Sequence, residues 1–272
     1  MNKIIKHLLI LNRRLRQSSV LKQLSQIENK TLQQILTAFI SVKTNSHQKV
    51  DVDSFRNCEN YRKKLLEDTT EITYEIFSLD TKSTVKDICK KASSKSKWCR
   101  LIYHIVNKTD SPKVLEIGTN LGVSGAYILE ALKTKEGKLT TMEGLPKLCE
   151  ISRNKFSEIV SNSKYEIVQG LYDDTFSDIK EREETYNLFF IDGNHQKDPT
   201  LEYFHELKLK MENKAVFIFD DIYWNEGMKE AWEVITNDKD VNFSIDMYQQ
   251  GIAIIDKEET QKNRKFSLHL TY

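Results

Sequence analysis

Val114-Leu115-Glu116-Ile117-Gly118-Thr119-Asn120-Leu121-Gly122-Val123-Ser124 is the stretch whose reading decides the fold. A short apolar run carries an acid two residues before a glycine, and a second glycine follows four residues on. An amphipathic pattern then begins. This reads as a strand, a glycine turn and a helix start, the unit with which many α/β proteins hold a nucleotide-like ligand. Glycines let the backbone approach a ligand closely, and the helix N-terminus offers free N–H groups. A dinucleotide fingerprint would read Gly-x-Gly-x-x-Gly, with helix N–H groups aimed at a pyrophosphate. Here Asn120 stands where its second glycine would fall. An acid beside the turn suits a ligand with a cationic end.

Working outward, the rhythm from residue 113 alternates strand and helix. Strands are expected at 113–117, 138–143, 165–169, 187–191, 214–219, 242–247 and 251–256, and 265–271 is a candidate for one more. Helices are expected at 123–133, 147–160, 199–210 and 226–236. Such alternation predicts a mostly parallel sheet with helices on both faces. The strands at 242–247 and 251–256 are too close in sequence for a crossover, so they form an antiparallel hairpin.

Upstream, apolar positions recur at helical spacing through 3–43, which predicts two or three helices. Residues 44–54 read as a loop, 55–68 as a helix and 72–79 as a short strand. Residues 83–108 read as helix with a break near Ser93-Ser94. The expected division is a mainly helical region over 1–95 and an α/β domain over 96–272.

Glu116-x-Gly118-x-x-x-Gly122 resembles the first motif of class I S-adenosylmethionine-dependent methyltransferases. The resemblance implies a Rossmann-like seven-stranded sheet, mostly parallel, with strand order 3-2-1-4-5-7-6 and an antiparallel C-terminal hairpin. It implies S-adenosylmethionine as cofactor, held around Glu116, Gly118, Thr119, Asn120, Gly122 and Ser124. Glu116 would then face the methionine end, directly or through water. Glu143-Gly144 ends the second strand of the series, where a family acid takes both ribose hydroxyls. A carboxylate can accept both bonds at once. Gly170-Leu171-Tyr172-Asp173 follows the third strand, so Tyr172 and Asp173 are candidates to flank the adenine; Asp173 and Asp174 read equally well as solvated loop charges.

Phe189-Phe190-Ile191-Asp192-Gly193-Asn194-His195 and Phe217-Ile218-Phe219-Asp220-Asp221 are apolar runs ending in acids. Buried central strands read this way, and open α/β sheets bind ligands at their C-terminal edge. Asp192, Asp220 and Asp221 would crowd together and repel unless a cation or shared protons intervene. Hard oxygen donors suit Mg²⁺. The pattern resembles the metal-dependent O-methyltransferases, and Asp192-x-x-His195 is closest to the bacterial sugar enzymes, where the histidine is the base. On that resemblance Asp192 contacts both cofactor and metal, and His195 and Asp192 are catalytic. Helix capping by these acids is the competing reading. Tyr223 and Trp224 are candidates for the wall of the acceptor pocket, against a purely structural tryptophan.

The implied reaction is methyl transfer to a hydroxyl oxygen of a small molecule or glycan. Its rivals are a metal-independent methyltransferase, an aminopropyl-type transferase on the same fold, and a non-catalytic cofactor-binding protein. Charge is uneven along the chain: residues 1–50 hold nine Lys/Arg and one acid, whereas residues 101–272 hold 21 and 30. The basic head reads as a solvated face, a homodimer contact, a lid, or a surface for peripheral membrane contact. Nucleic acid is not expected, because no aromatic platform is interleaved with the charges. The four cysteines include no Cys-x-x-Cys pair, which argues against zinc and for a reduced setting. No apolar run approaches the roughly 20 residues that span a bilayer, and Leu8-Leu9-Ile10-Leu11 is too short for a signal-peptide core. A cytoplasmic protein is expected.

Overall fold

The computed structural model describes residues 3–74, 76 and 81–271. Two helices, α1 (Lys3–Ser25) and α2 (Lys30–Lys43), open the chain. They belong with residues 184–272 to one compact unit, and residues 44–183 form the other.

Residues 44–183 are called the glycine-turn unit. It begins with α3 (Lys49–Glu67), a small antiparallel pair β1 (Glu71–Thr73) and β2 (Lys82–Thr84), α4 (Val85–Ala92) and α5 (Ser96–Lys108). The helix α3 starts well before residue 55 because Gln48 N donates to the Asp51 carboxylate at 2.9 Å, an N-terminal clamp within the segment read as loop. The break between α4 and α5 falls at Ser93–Lys95, as expected. The strand expected over 72–79 is met only by β1, and residues 75 and 77–80 lie outside the described residues.

Three parallel strands follow: β3 (Lys113–Ile117), β4 (Lys138–Glu143) and β5 (Tyr165–Gln169), in the order β3-β4-β5. Between them run α6 (Val123–Leu132) and α7 (Pro146–Ile159), and α8 (Tyr172–Glu181) follows β5. Every residue of α6 is buried, Glu130 included, so this helix lies inside the unit rather than on its surface. Gly122 caps it in the left-handed region at φ 68°, and a Cβ there would stand 2.9 Å from both Phe156 Cε1 and Ser152 Oγ. Gly125 lies under the same ring, where a Cβ would meet Phe156 Cζ at 2.5 Å. Phe156 on α7 therefore fixes how closely α7 approaches the glycine turn. The sequence reading missed α8. Phe176 and Ile179 are its buried face, and Asp173 and Asp174 stand in its first turn, where carboxylates favour a helix start.

The remaining unit is called the carboxylate unit. It contains β6 (Tyr186–Ile191), α9 (Lys197–Lys208), β7 (Met211–Phe219), α10 (Glu226–Asn237), β8 (Phe243–Asp246), β9 (Gly251–Asp256) and β10 (Arg264–Ser267). Its strand order is β10-β8-β9-β7-β6. The pair β6/β7 is parallel, while β9 runs antiparallel to both β7 and β8. These two units carry the two halves of the expected order, 3-2-1 and 4-5-7-6. The strand β10 lies parallel to β8 at the edge, one strand more than the seven expected. The fold class is the one read from the sequence: a Rossmann-like, mostly parallel α/β arrangement with an antiparallel C-terminal hairpin and N-terminal helices.

The core of the carboxylate unit is aromatic. Phe189 and Phe217 stack across β6 and β7 with centroids 4.4 Å apart, and Phe204 of α9 meets Phe217 edge-on at 5.4 Å. Much of the basic head is tied down here. Arg13 is buried and pairs with Asp246 at 2.7 Å, Lys43 Nζ donates to His269 O at 2.7 Å, and Asn29 Nδ2 donates to Asp256 at 3.1 Å. Among the described residues no helix is long and apolar enough to cross a membrane.

Removing the Phe156 ring leaves a cavity against the two glycines of α6. Phe156→Ala should destabilise the protein by about 3–5 kcal/mol in urea denaturation. A loss under about 1 kcal/mol would mean that the ring does not set the spacing.

Candidate active site

In the glycine-turn unit, three backbone conformations shape the loop after β3. Gly118 (φ 107°), Asn120 (φ 49°) and Gly122 (φ 68°) all have positive φ. The N–H groups of Gly118 and Thr119 both point to Met142 O on β4, at 3.2 and 3.0 Å. Ser152 Oγ of α7 holds Asn120 O at 2.9 Å, and Tyr61 OH of α3 holds Leu121 O at 2.7 Å. The turn is thus bonded to β4, α7 and α3 rather than left to its own flexibility.

Glu116 has no exposed surface. Its two carboxylate oxygens accept from Ser124 Oγ at 2.5 Å and from Thr141 Oγ1 at 2.6 Å. Thr141 lies 2.6 Å from Thr119 Oγ1, which extends the network into the turn. Burial pushes the Glu116 carboxyl up to about 7, against the opposing effect of the two hydroxyl bonds. Glu116, Thr119 and Ser124 are therefore brought together as one buried cluster. Thr141 is its fourth member, and the sequence reading did not single it out. A hydroxyl on the inward face of a buried strand, beside a buried acid, was the available signal.

Glu143 lies at the end of β4, 7% exposed. Its oxygens accept from Asn120 N at 2.8 Å and from Leu145 N at 2.9 Å. Burial raises this carboxyl above its ordinary range, while backbone bonds from Leu145, Asn120 and Gly144 oppose that. An ionised carboxylate has about four acceptor positions, so the backbone bonds leave it capacity for a ligand. Glu143, Gly144 and Asn120 thus stand together. Tyr172 and Asp173 lie in the first turn of α8 rather than in a loop.

In the carboxylate unit, the acids sit at the tips of β6 and β7. Asp220 N donates to Ile191 O at 3.0 Å, which keeps the two tips side by side. Asp220 is 5% exposed, and its Oδ1 has no hydrogen-bond partner. Its carboxyl is pushed up by burial first and by the Asp221 charge second. Gln250 and Asp192 also act on it, in the opposite direction. Yet neither amide atom of Gln250 is within hydrogen-bonding geometry of any partner. Gln250 is a polar neighbour that the sequence reading missed.

His195 Nε2 lies 3.6 Å from Asp192 Oδ1. Burial lowers the imidazole below its ordinary value, and Asp221 opposes the shift. Asn194, His195 and Asp221 all adopt positive φ, at 66°, 35° and 50°. Such conformations are costly for residues with side chains and cluster at functional sites. Asn225 Nδ2 holds His195 O at 3.0 Å, and the Trp224 ring centroid is 6.3 Å from that of His195. Trp224 is 69% exposed, whereas Tyr223 is tied to Asp246 by a 2.9 Å bond and stacks on Tyr248.

Asp192 and Asp221 both act on the Asp220 carboxyl, so the three acids are neighbours at the strand tips. Among the described residues, the three-residue group whose ligand atoms lie within 4.8 Å of one another is His47, Asp51 and His104. No sequence motif announced it, because His104 lies 57 positions from His47, on α5.

Comparison with known proteins gives these observations a family context. Residues 115–222 match a protein family described as "Methyltransferase domain". A protein from Mycobacterium sp. (strain JLS), named "Putative O-methyltransferase", is 29% identical over 100 residues. That segment covers 36% of this chain and 44% of the relative, so the match spans less than half of the relative's length. Among solved structures, an O-methyltransferase from Bacillus cereus in complex with SAH superposes with TM-score 0.54 at 20% identity, covering 71% of this chain and 91% of that one. An SAH-bound methyltransferase from Podospora anserina superposes with TM-score 0.57 at 15% identity, covering 81% and 93%. These likenesses establish the class I methyltransferase fold for this chain.

The buried Glu116 gives a pH signature. Its carboxyl ordinarily titrates near 4.5 and is raised to about 7 in the folded protein. Below the ordinary value both states are protonated, and the stabilisation is complete. As pH rises through the raised value, the folded state must ionise a buried group, and stability falls. Comparing native protein with Glu116→Gln in urea, the native protein's stability relative to the variant should drop by roughly 1–3 kcal/mol between pH 5 and pH 8. An unchanged difference would show that Glu116 is not raised.

Proposed function

We propose that the protein binds S-adenosylmethionine and transfers its methyl group to a hydroxyl oxygen of a small molecule or glycan. The observation that carries this reading is Glu143. It is a buried carboxylate beside the glycine turn, with acceptor capacity beyond its bonds to Asn120 and Leu145. Paired vicinal hydroxyls of a ribose are the natural donors for that capacity. The methyltransferase family match over 115–222 and the names of the mycobacterial relatives support the same class of reaction.

Within this reading Glu116 does not touch the cofactor. It fixes the turn through Ser124 and Thr141, leaving backbone groups of Gly118, Thr119, Asn120 and Gly122 to line the ligand. Gly144, Tyr172 and Asp173 are assigned to the adenosine. On the acceptor side, His195 removes the hydroxyl proton, and its lowered basicity keeps it in the neutral form near pH 7. Asp192, 3.6 Å from the ring, orients it and contacts the cofactor. Tyr223 and Trp224 border the acceptor.

The reading includes Mg²⁺ held by Asp192, Asp220 and Asp221. The orphaned Asp220 Oδ1 fits such a role, since a buried carboxylate oxygen without a partner calls for a cation or a proton. When bound, the ion supplies stabilisation of negative charge on the acceptor oxygen. The raised Asp220 carboxyl, with Asp192 and Asp221 beside it, favours a second reading, in which a shared proton takes the place of metal. Four buried free cysteines fit a reduced, cytoplasmic setting.

Calorimetry should detect binding of S-adenosylhomocysteine and none of NAD, and Glu143→Ala should weaken it by about 1–3 kcal/mol. Tight NAD binding, or an unaffected Glu143→Ala, would refute the cofactor assignment. With an acceptor found by mass spectrometry, His195→Ala should lower turnover by roughly 10²–10⁴-fold while leaving cofactor affinity intact. Full activity after exhaustive chelation would select the proton-sharing alternative to Mg²⁺.

A further inference from the structure

We propose that His47, Asp51 and His104 in the glycine-turn unit form a binding site for a divalent transition-metal ion, with zinc(II) the best match. The proposal is independent of the catalytic reading and of any Mg²⁺ at the strand tips.

The three residues come from two elements. His47 stands just before α3, Asp51 lies in the first turn of α3, and His104 lies on α5. Each offers one ligand atom, and these atoms lie within 4.8 Å of one another. His47 Nδ1 and His104 Nε2 are 3.0 Å apart. Zinc–nitrogen bonds of about 2.0–2.1 Å in tetrahedral geometry put neighbouring ligand atoms about 3.3 Å apart. The two imidazoles already stand near that spacing, and the Asp51 carboxylate lies within 4.8 Å of both.

The surroundings have the marks of a built site. His104 is 3% and Asp51 4% exposed, whereas His47 is half-buried, so a fourth position has a route toward solvent. His47 Nε2 is buried without a hydrogen-bond partner, so the imidazole pair alone does not satisfy both rings. The Asp51 carboxylate is held at both oxygens, by Tyr103 OH at 3.0 Å and Gln48 N at 2.9 Å. Such outer bonds fix the orientation of metal-ligating groups. Phe55 packs edge-on against His47 and His104, with centroids at 5.1 and 5.7 Å, which keeps water from the inner side. Burial lowers both imidazoles, and the Arg100 charge acts the same way, so both rings are in the neutral form that binds metals. Two nitrogens and one oxygen favour Zn²⁺, Ni²⁺ or Cu²⁺ over Mg²⁺. The competing account is a plain hydrogen bond between the two rings.

The test uses the full chain, stripped with chelator and titrated with Co²⁺ as a spectroscopic stand-in for zinc. About one equivalent should bind with visible d–d absorption, and Zn²⁺ should displace it. The signal should vanish in His104→Gln and in His47→Gln; the latter alters a half-buried loop residue and guards against a simple folding failure. It should persist in Asp220→Asn, which separates this site from the strand tips. Tyr103→Phe should retain binding with affinity weakened roughly 10–100-fold. Zn²⁺ should raise the thermal midpoint of the native protein and leave that of His47→Gln unchanged. Absence of Co²⁺ absorption in the folded native protein, or equal binding by both histidine variants, would overturn the proposal and leave the hydrogen-bonded pair.

Discussion

A carboxylate sealed from water beneath the glycine turn is the constraint on which the glycine-turn unit depends. Glu116 sits within the apolar run of β3, with no exposed surface. An unpaired ionised group there would be prohibitively costly, so it must be hydrogen-bonded or protonated. Ser124 on α6 and Thr141 on β4 supply the bonds, and Thr119 extends them into the turn. One side chain thereby ties β3, β4 and the start of α6 into fixed register. The turn between them has no slack. Its peptide groups are spoken for by Met142, Ser152 and Tyr61, and Glu143 closes it from the far side through Asn120 N. A preformed turn of this kind does not have to be ordered when a ligand arrives, which lowers the entropic cost of binding.

The carboxylate unit solves a related problem differently. Its strands are buried on both faces up to their last apolar residues, so the acids appear abruptly at the strand tips. Asp220 retains an oxygen with no partner, and the loops after both strands hold Asn194, His195 and Asp221 in left-handed conformations. Unsatisfied polarity and backbone strain together are what a site kept ready for a ligand would show. The aromatic stack of Phe189 and Phe217 directly below gives the tips a rigid base.

Much of this was legible in the sequence because periodicity and turn chemistry are local. The strand at 251–256 and the helix start at Val123 are where alternation and glycine spacing put them. The start of α3 was not, because a polar segment becomes helical through the bond from Gln48 N to Asp51, which composition does not reveal. The helix α8 was missed because only two apolar residues, Phe176 and Ile179, face inward, too few to set a period. Glu116 engages hydroxyls from positions 8 and 25 residues away, which no local pattern reveals. The His47–Asp51–His104 cluster was out of reach for the same reason: its members meet only once α3 and α5 have packed.

The central claim is that Glu143, not Glu116, receives the cofactor. A crystal structure with S-adenosylhomocysteine tests it most directly. The account predicts both ribose hydroxyls within about 3 Å of the Glu143 carboxylate, with Glu116 still bonded to Ser124 and Thr141. Density for the ligand elsewhere, or a Glu116 freed from its hydroxyls and touching the ligand, would contradict it.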